Sequence, residues 1–294
     1  MEAKTKGRLV LGVIYLIAFT LGYFVSIASD YPVLVKATVF VALAVITIYM
    51  GSLDFNNSSV FDPYWSVAPP IMVIYFWLAP APFDDWHHQP RILILLILTL
   101  AYGIRLTWNF LRGWPGLEHE DWRYVDFRNR SGKAYWIVSF FGIHGFPALV
   151  VFGGTLSIWV VVIYGYRPMN LLDIIAFLVT GNAILLEAIS DKQLRNFVNE
   201  PGTTGMTMNK GLWSLSRHPN YLGEMLFWWG LYLFALAANP AFWWVIIGPS
   251  VITLMFVCIS IPMIEKRMMT RKKDYAEYCK KVPVLIPFPQ KNRL

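Results

Sequence analysis

Four groups of polar side chains interrupt otherwise apolar stretches of the chain, and each is of a type that does chemistry. In LTLAYGIRLTWNFLRGW (98–114), Tyr102, Arg105, Asn109 and Arg112 fall within roughly an 80° arc at 100° per residue, so a helix here carries one polar stripe. Such a stripe either lines a cavity, with the phenol deepest and the guanidinium groups meeting an anionic ligand, or has Arg112 snorkelling to headgroups and Arg105 paired with a carboxylate. FDPYWSVAPP (61–70) sets Asp62 before Pro63, where it is a helix N-cap or, in a low-dielectric cavity, a carboxyl kept protonated and able to donate to a carbonyl oxygen. Asp54 is a less suited substitute.

LLEAISDKQLRNF (185–197) spaces Glu187, Asp191 and Arg195 at i, i+4 and i+8. They share a face, as an internal ion pair or as acceptors for ribose hydroxyls or an amide. GLWSLSRHPNYLGEMLFWWG (211–230) is the densest polar cluster at the mouth of an apolar helix. Pro219 suits the first turn, and Asn220 and Glu224 lie one turn apart. Free N–H groups at a helix start beside Arg217 and His218 make either an anion site or an ordinary basic helix entrance.

The elements that must position these groups are membrane helices. The chain has 294 residues, is 56% hydrophobic and 15% charged, and has a mean hydropathy of +0.49; its apolar residues gather in runs of roughly 20, the length that crosses a hydrocarbon core. Spans are expected near 8–28, 33–51, 64–81, 91–112, 135–165, 170–190, 221–238 and 241–263. The fifth is too long for one straight helix, and Gly153-Gly154 is the expected place for a kink or a division, so the count lies between seven and nine, with eight preferred. Lys4, Lys6 and Arg8 before the first run read as the flank of a retained span, because no small-residue cleavage pattern leads into a soluble domain. The segments 1–8, 112–134, 191–220 and 264–294 hold 21 of the 25 Lys and Arg residues. Both termini are therefore expected in the cytosol, and the net charge of +7 is a topology signal favouring anionic lipids, not a nucleic-acid footprint. Cys258 and Cys279 form no disulfide framework or zinc motif, and no metal is expected. No repeat or linker is visible, so the expectation is an all-α helix bundle forming a single membrane domain over 1–294.

SRHPNYLGE, followed about 40 residues later by IEKRMMTRKKDYAEYCKKVPVLIPF, resembles a superfamily of membrane enzymes that includes steroid 5α-reductases, sterol reductases and isoprenylcysteine carboxyl methyltransferases. The likeness covers roughly residues 55–290, leaving 8–28 as an additional span. AYGIRLTWNF resembles the reductase segment in which a tyrosine three residues before an arginine polarises the substrate carbonyl, which implies that role for Tyr102, with Arg105 beside it. DPYWSVAPP resembles the segment supplying the partner acid, which implies Asp62, although the family more often has glutamate there. The same resemblance implies cofactor contacts for Asp191 and Glu187, for Asn220, Tyr221 and Glu224 in the NYxGE core, and for Arg267, Arg271, Tyr275 and Tyr278 in the tail. PGLEHEDWRY (115–124) is similar to a loop of a reductase-like branch, 3-oxo-5α-steroid 4-dehydrogenase-like, in which His119, Glu120, Asp121, Trp122, Arg123 and Tyr124 would lie near the adenine or phosphate end. Otherwise that loop is a solvated connector.

These readings imply an NADPH-dependent membrane oxidoreductase that reduces the C=C bond of an α,β-unsaturated carbonyl in a lipophilic, steroid-like or other lipid substrate entering from the bilayer. The protein would act as a monomer in the endoplasmic reticulum or a bacterial inner membrane, with its cofactor site facing the cytosol. No G-x-G-x-x-G follows a strand, so a nucleotide would be held among helices, and clustered arginines favour the phosphorylated dinucleotide. The alternatives are an S-adenosylmethionine-dependent methyltransferase using the same C-terminal elements, a non-catalytic sterol- or lipid-binding membrane protein, and, more weakly, a transporter.

Overall fold

The computed structural model describes residues 2–79 and 89–286, and every described regular element is helical. The chain divides into two compact units, Met1–Pro168 and Met169–Leu294. Seven helical stretches among the described residues are long and apolar enough to cross a membrane: Ala3–Ile27, Val33–Asp54, Pro90–Gly113, Trp122–Tyr164, Leu171–Asn199, Pro219–Ala238 and Pro240–Arg271. Their outward faces are Leu, Ile, Val and Phe, as a hydrocarbon solvent requires. The chain is an integral membrane protein.

The first unit contains α1 (Glu2–Ile27), α2 (Val33–Asp54), a 3-10 turn (Ser58–Phe61), α3 (Tyr64–Trp77), α4 (Gln89–Gly113), α5 (Trp122–Ser131), α6 (Tyr135–Val138) and α7 (Phe146–Tyr164). Of the expected span 64–81, α3 is 14 residues long and ends at Trp77, and its expected end at 80–81 lies outside the described residues. That shortness is why it is missing from the seven. The basic end of α1 is structural: Lys4 Nζ donates to the Arg112 carbonyl at 2.8 Å and Arg8 Nη2 to that of Leu111 at 2.6 Å, covering carbonyls that the last turn of α4 leaves open. Antiparallel α3 and α4 meet where Gly103 lies under the Ser66 carbonyl and Ser66 Oγ bonds Thr107 Oγ1 at 2.7 Å; a Cβ at position 103 would collide with that carbonyl.

The stretch Trp122–Tyr164 is not one rod. At Gly132 φ is +52°, a value glycine adopts without a steric penalty, and the polar helix α5 ends there. The expected break at Gly153-Gly154 is absent, because α7 runs through both glycines. The irregularity falls instead at a π-helical turn, Ser139–Gly145, where His144 Nδ1 reaches back to the Ser139 carbonyl at 3.0 Å.

The second unit contains α8 (Leu171–Asn199), a 3-10 turn (Gly211–Ser214), α9 (Pro219–Ala238), α10 (Ile247–Met255), α11 (Ile261–Arg271) and α12 (Tyr275–Lys281). Asn170 and Asp173 form a capping box at the start of α8. α8 and α9 approach closely because Gly223 lies against Ala183 and Glu187, and Gly230 against Thr180, so a Cβ at either glycine would strike the neighbouring helix.

Candidate functional site

In the first unit the polar side chains collect where the 3-10 turn meets the loop before α5. The turn is capped by Asn57, whose Oδ1 accepts from Ser59 N at 2.8 Å while its Nδ2 donates to the carbonyls of Leu117 at 2.6 Å and His119 at 3.0 Å. Ser58 N donates to Glu120 Oε1 at 2.9 Å and Asp121 N to Ser59 Oγ at 2.8 Å. Residues 57–59 and 117–121 are thus stitched together, and α1 adds the Tyr15 hydroxyl, donating to the carbonyls of Val60 and Phe61 at 3.1 Å each.

That stitching sets two carboxyl groups in contrasting surroundings. Glu120 accepts from Ser58 N, from the Tyr135 hydroxyl at 3.0 Å, and from Arg128 Nε at 3.1 Å and Nη2 at 3.0 Å. Asp62 accepts a short hydrogen bond from the Tyr124 hydroxyl on Oδ1 and has Arg123 Nη2 4.0 Å away, while Arg123 Nε is committed to Asp121 at 2.7 Å. Desolvation pushes the Asp62 carboxyl up to about 7, against the opposing pull of the Arg123 charge and the Tyr124 hydrogen bond. A carboxyl so placed exchanges a proton near neutral pH. From Tyr135 a buried chain continues inward: the Tyr135 hydroxyl to Ser58 Oγ at 2.7 Å, then to Ser139 Oγ at 2.9 Å, with Ser139 bonded to His144 and His144 Nε2 to Ser52 Oγ at 2.9 Å.

On α4 the two faces divide as the sequence stripe requires. Leu93, Ile97, Leu100, Ile104 and Trp108 are exposed, whereas Tyr102 is 0% exposed, Arg105 and Asn109 are half-buried, and Arg105 Nε and Nη2 are shielded from solvent. Arg112 is exposed in the last turn, and His119 is exposed with its carbonyl taken by Asn57 and Trp114. Asp121 is the N-cap of α5, accepting from Arg123 N at 2.9 Å, so the loop is ordered by local capping. Sequence reading missed the pairing of Tyr124 with Asp62 and the inward chain to His144. The only signal of the latter was a histidine in an apolar run.

In the second unit, α8 carries Glu187, 4% exposed, above half-buried Asp191 and Arg195. Glu224 on α9 is 6% exposed and accepts from Trp228 Nε1 at 2.9 Å, one turn on. Asn220 and Tyr221 are half-buried in the first turn of α9, and the Tyr221 ring stacks on that of His218 with centroids 5.5 Å apart. Glu265 of α11 accepts from His218 Nε2 at 3.0 Å and lies 3.2 Å from Arg217 Nε. Burial holds the His218 imidazole below its ordinary range, against the pull of Glu265, so the charge beside the α9 start is smaller than the sequence suggests.

The tail then closes on this turn. Arg217 N donates to the Pro283 carbonyl at 2.9 Å, Ser216 Oγ to that of Val284 at 3.3 Å, and the Tyr278 hydroxyl to the Trp213 carbonyl at 2.5 Å. Tyr275 and Tyr278 are buried with Val282, Met268 and Cys279, while Arg267 is half-buried and Arg271 exposed on α11. The last two residues of the tail motif, 287 and 288, lie outside the described residues.

No solved structure matches the chain. The chain is similar to the uncharacterized protein C594.04c of Schizosaccharomyces pombe, 28% identical over 207 residues, which is 63% of this chain and 60% of the relative's length. A family model matches residues 48–282, which leave out all of α1 and most of α2, and the chain therefore belongs to the family described as protein of unknown function (DUF1295).

Proposed function

We propose that the protein is an NADPH-dependent reductase of the C=C bond of an α,β-unsaturated carbonyl in a lipophilic substrate that enters from the bilayer. The observation that carries this reading is the orientation of α4: a fully buried phenol and a shielded guanidinium on the face opposite its exposed leucines and isoleucines. An ionisable stripe turned away from lipid is costly unless it serves a ligand or a partner. The likeness of AYGIRLTWNF and SRHPNYLGE to steroid 5α-reductase segments supplies the kind of ligand.

Tyr102 and Asp62 are assigned to the substrate carbonyl. Hydrogen bonds from a phenol and a protonated carboxyl stabilise the oxygen as negative charge develops on it, which makes the β-carbon electrophilic. The residues of the second unit suit a phosphorylated dinucleotide: α9 opens with half-buried Asn220 and Tyr221 at a helix start, and Arg195 and Arg267 lie half-buried on α8 and α11. Glu187, Asp191, Arg217, His218, Glu224, Arg271, Tyr275 and Tyr278 complete the proposed cofactor contacts of the second unit, Tyr278 through the Trp213 carbonyl to which it donates; Arg105, Asn109, Arg112, His119, Asp121 and Arg123 are those proposed for the first unit. When bound, the nicotinamide supplies hydride to the β-carbon, and a proton at the α-carbon balances the reduction.

Thermal-shift titration of the purified protein with NADPH and with S-adenosylmethionine separates the readings, because a ligand that binds only the folded state raises Tm. NADPH is expected to raise Tm in proportion to the logarithm of its concentration. A rise with S-adenosylmethionine alone would assign a methyltransferase, and no rise with either would favour a lipid-binding role.

A further inference from the structure

Asp62 and Tyr124 come from segments 62 residues apart, and both are held where they meet. Asp62 N closes the 3-10 turn on the Ser59 carbonyl at 3.2 Å, while Tyr124 follows Asp121, whose N–H is bonded to Ser59 Oγ and whose side chain caps α5. The Tyr124 hydroxyl takes one edge of the carboxyl group, Oδ1. The other edge, Oδ2, has no hydrogen-bond partner among the described residues, and the Asp62 side chain retains 17% of its exposure. Glu120, by contrast, has both oxygens filled. The groups facing Asp62 are Arg123 and Tyr124 of α5, Glu120 and Asp121 of the loop, and Tyr15 of α1.

We propose that Tyr124 is the positioning residue of the Asp62 carboxyl, donating to Oδ1 so that Oδ2 is the edge presented to the substrate oxygen and the edge on which the proton is carried. The assignment of the substrate rests on the reductase reading; the pairing does not. Tyr124 thereby has a role apart from the nucleotide loop to which its sequence neighbours His119 and Asp121 were assigned. A carboxyl with one edge tied down has a fixed plane, and a fixed plane fixes the direction in which its proton points.

Infrared titration of the carboxylic C=O band, with Asp62→Asn to identify it, tests this in the full-length protein without substrate or nucleotide. Tyr124→Phe removes a donor that favours the ionised form, so the protonation midpoint of Asp62 should rise by about one pH unit, the equivalent of one hydrogen bond. Incorporation of 3-fluorotyrosine at position 124 keeps the shape and strengthens the donor, so the midpoint should fall. Opposite movements support the pairing. An unmoved midpoint with 3-fluorotyrosine overturns it even if Tyr124→Phe does not fold. Failure of NADPH to bind bears on the reductase reading alone, since nothing in the infrared experiment depends on it.

Discussion

In the second unit the charge of Glu265 is met by Arg217 and His218, the Tyr278 hydroxyl by a carbonyl, and the 216–217 backbone by the returning tail. In the first unit Glu120 is treated the same way, yet Asp62, on the same stitched turn, has one neutral donor and a guanidinium already engaged by Asp121. Glu120 is bound on both oxygens, whereas burial raises the Asp62 carboxyl, and this separates a group that holds structure from one that can move a proton. The tail clasp contains no such imbalance, so it serves to shape the turn before α9.

The largest effect expected is on turnover. Tyr102→Phe should lower it by roughly 10²- to 10³-fold, the cost of losing one donor to developing charge, with the NADPH-induced Tm shift unchanged. Equal losses in both would return Tyr102 to a packing role. Next, Glu120→Gln should lower stability on the order of 2 kcal/mol, read as a lower Tm, because it leaves Arg128 half-buried without its charge partner.

Asp62→Asn should act with the opposite sign. The folded state raises the Asp62 carboxyl from 3.8 to about 7, so it binds the proton more tightly than the unfolded chain does, and wild-type stability falls as pH rises through that window. Asparagine does not titrate. The stability of Asp62→Asn relative to wild type should therefore grow between about pH 4 and 7 and level off above it, by on the order of 1 to 3 kcal/mol, read as a widening Tm difference; a flat difference would mean that the Asp62 carboxyl is not raised by folding. The smallest effect belongs to the clasp: Tyr278→Phe should cost about 1 kcal/mol, one hydrogen bond to the Trp213 carbonyl, measurable as a lower Tm of the protein without nucleotide.

Much of this was legible in the chain. The apolar runs required membrane helices, and the 3.6-residue period placed Tyr102, Arg105 and Asn109 on one face of α4 before any coordinates did. Asp62 was recognisable as a carboxyl at the entrance of α3, but not as its N-cap: α3 starts at Tyr64 with Pro63 in the capping position, and Asp62 closes the preceding 3-10 turn. Other features were not legible. Gly153-Gly154 looked like the weak point of the long span, but glycine inside a well-packed helix need not bend it, and the π turn follows from His144 and Ser139, whose bonding depends on Ser52 and Ser58 far away in sequence. Tyr124 read as a loop residue because its partner lies in another segment.

The sequence by itself determined the solvent of this protein, the helical class and the lipid-facing sides of its spans, since these depend on composition and on periods of a few residues. Which carboxyl group is bound on both oxygens and which is tied by one edge among the described residues was decided only by tertiary structure. Hydrogen-bond partnership between residues 57–62 and 117–124 is a matter of ångströms between distant segments, and no local pattern encodes it.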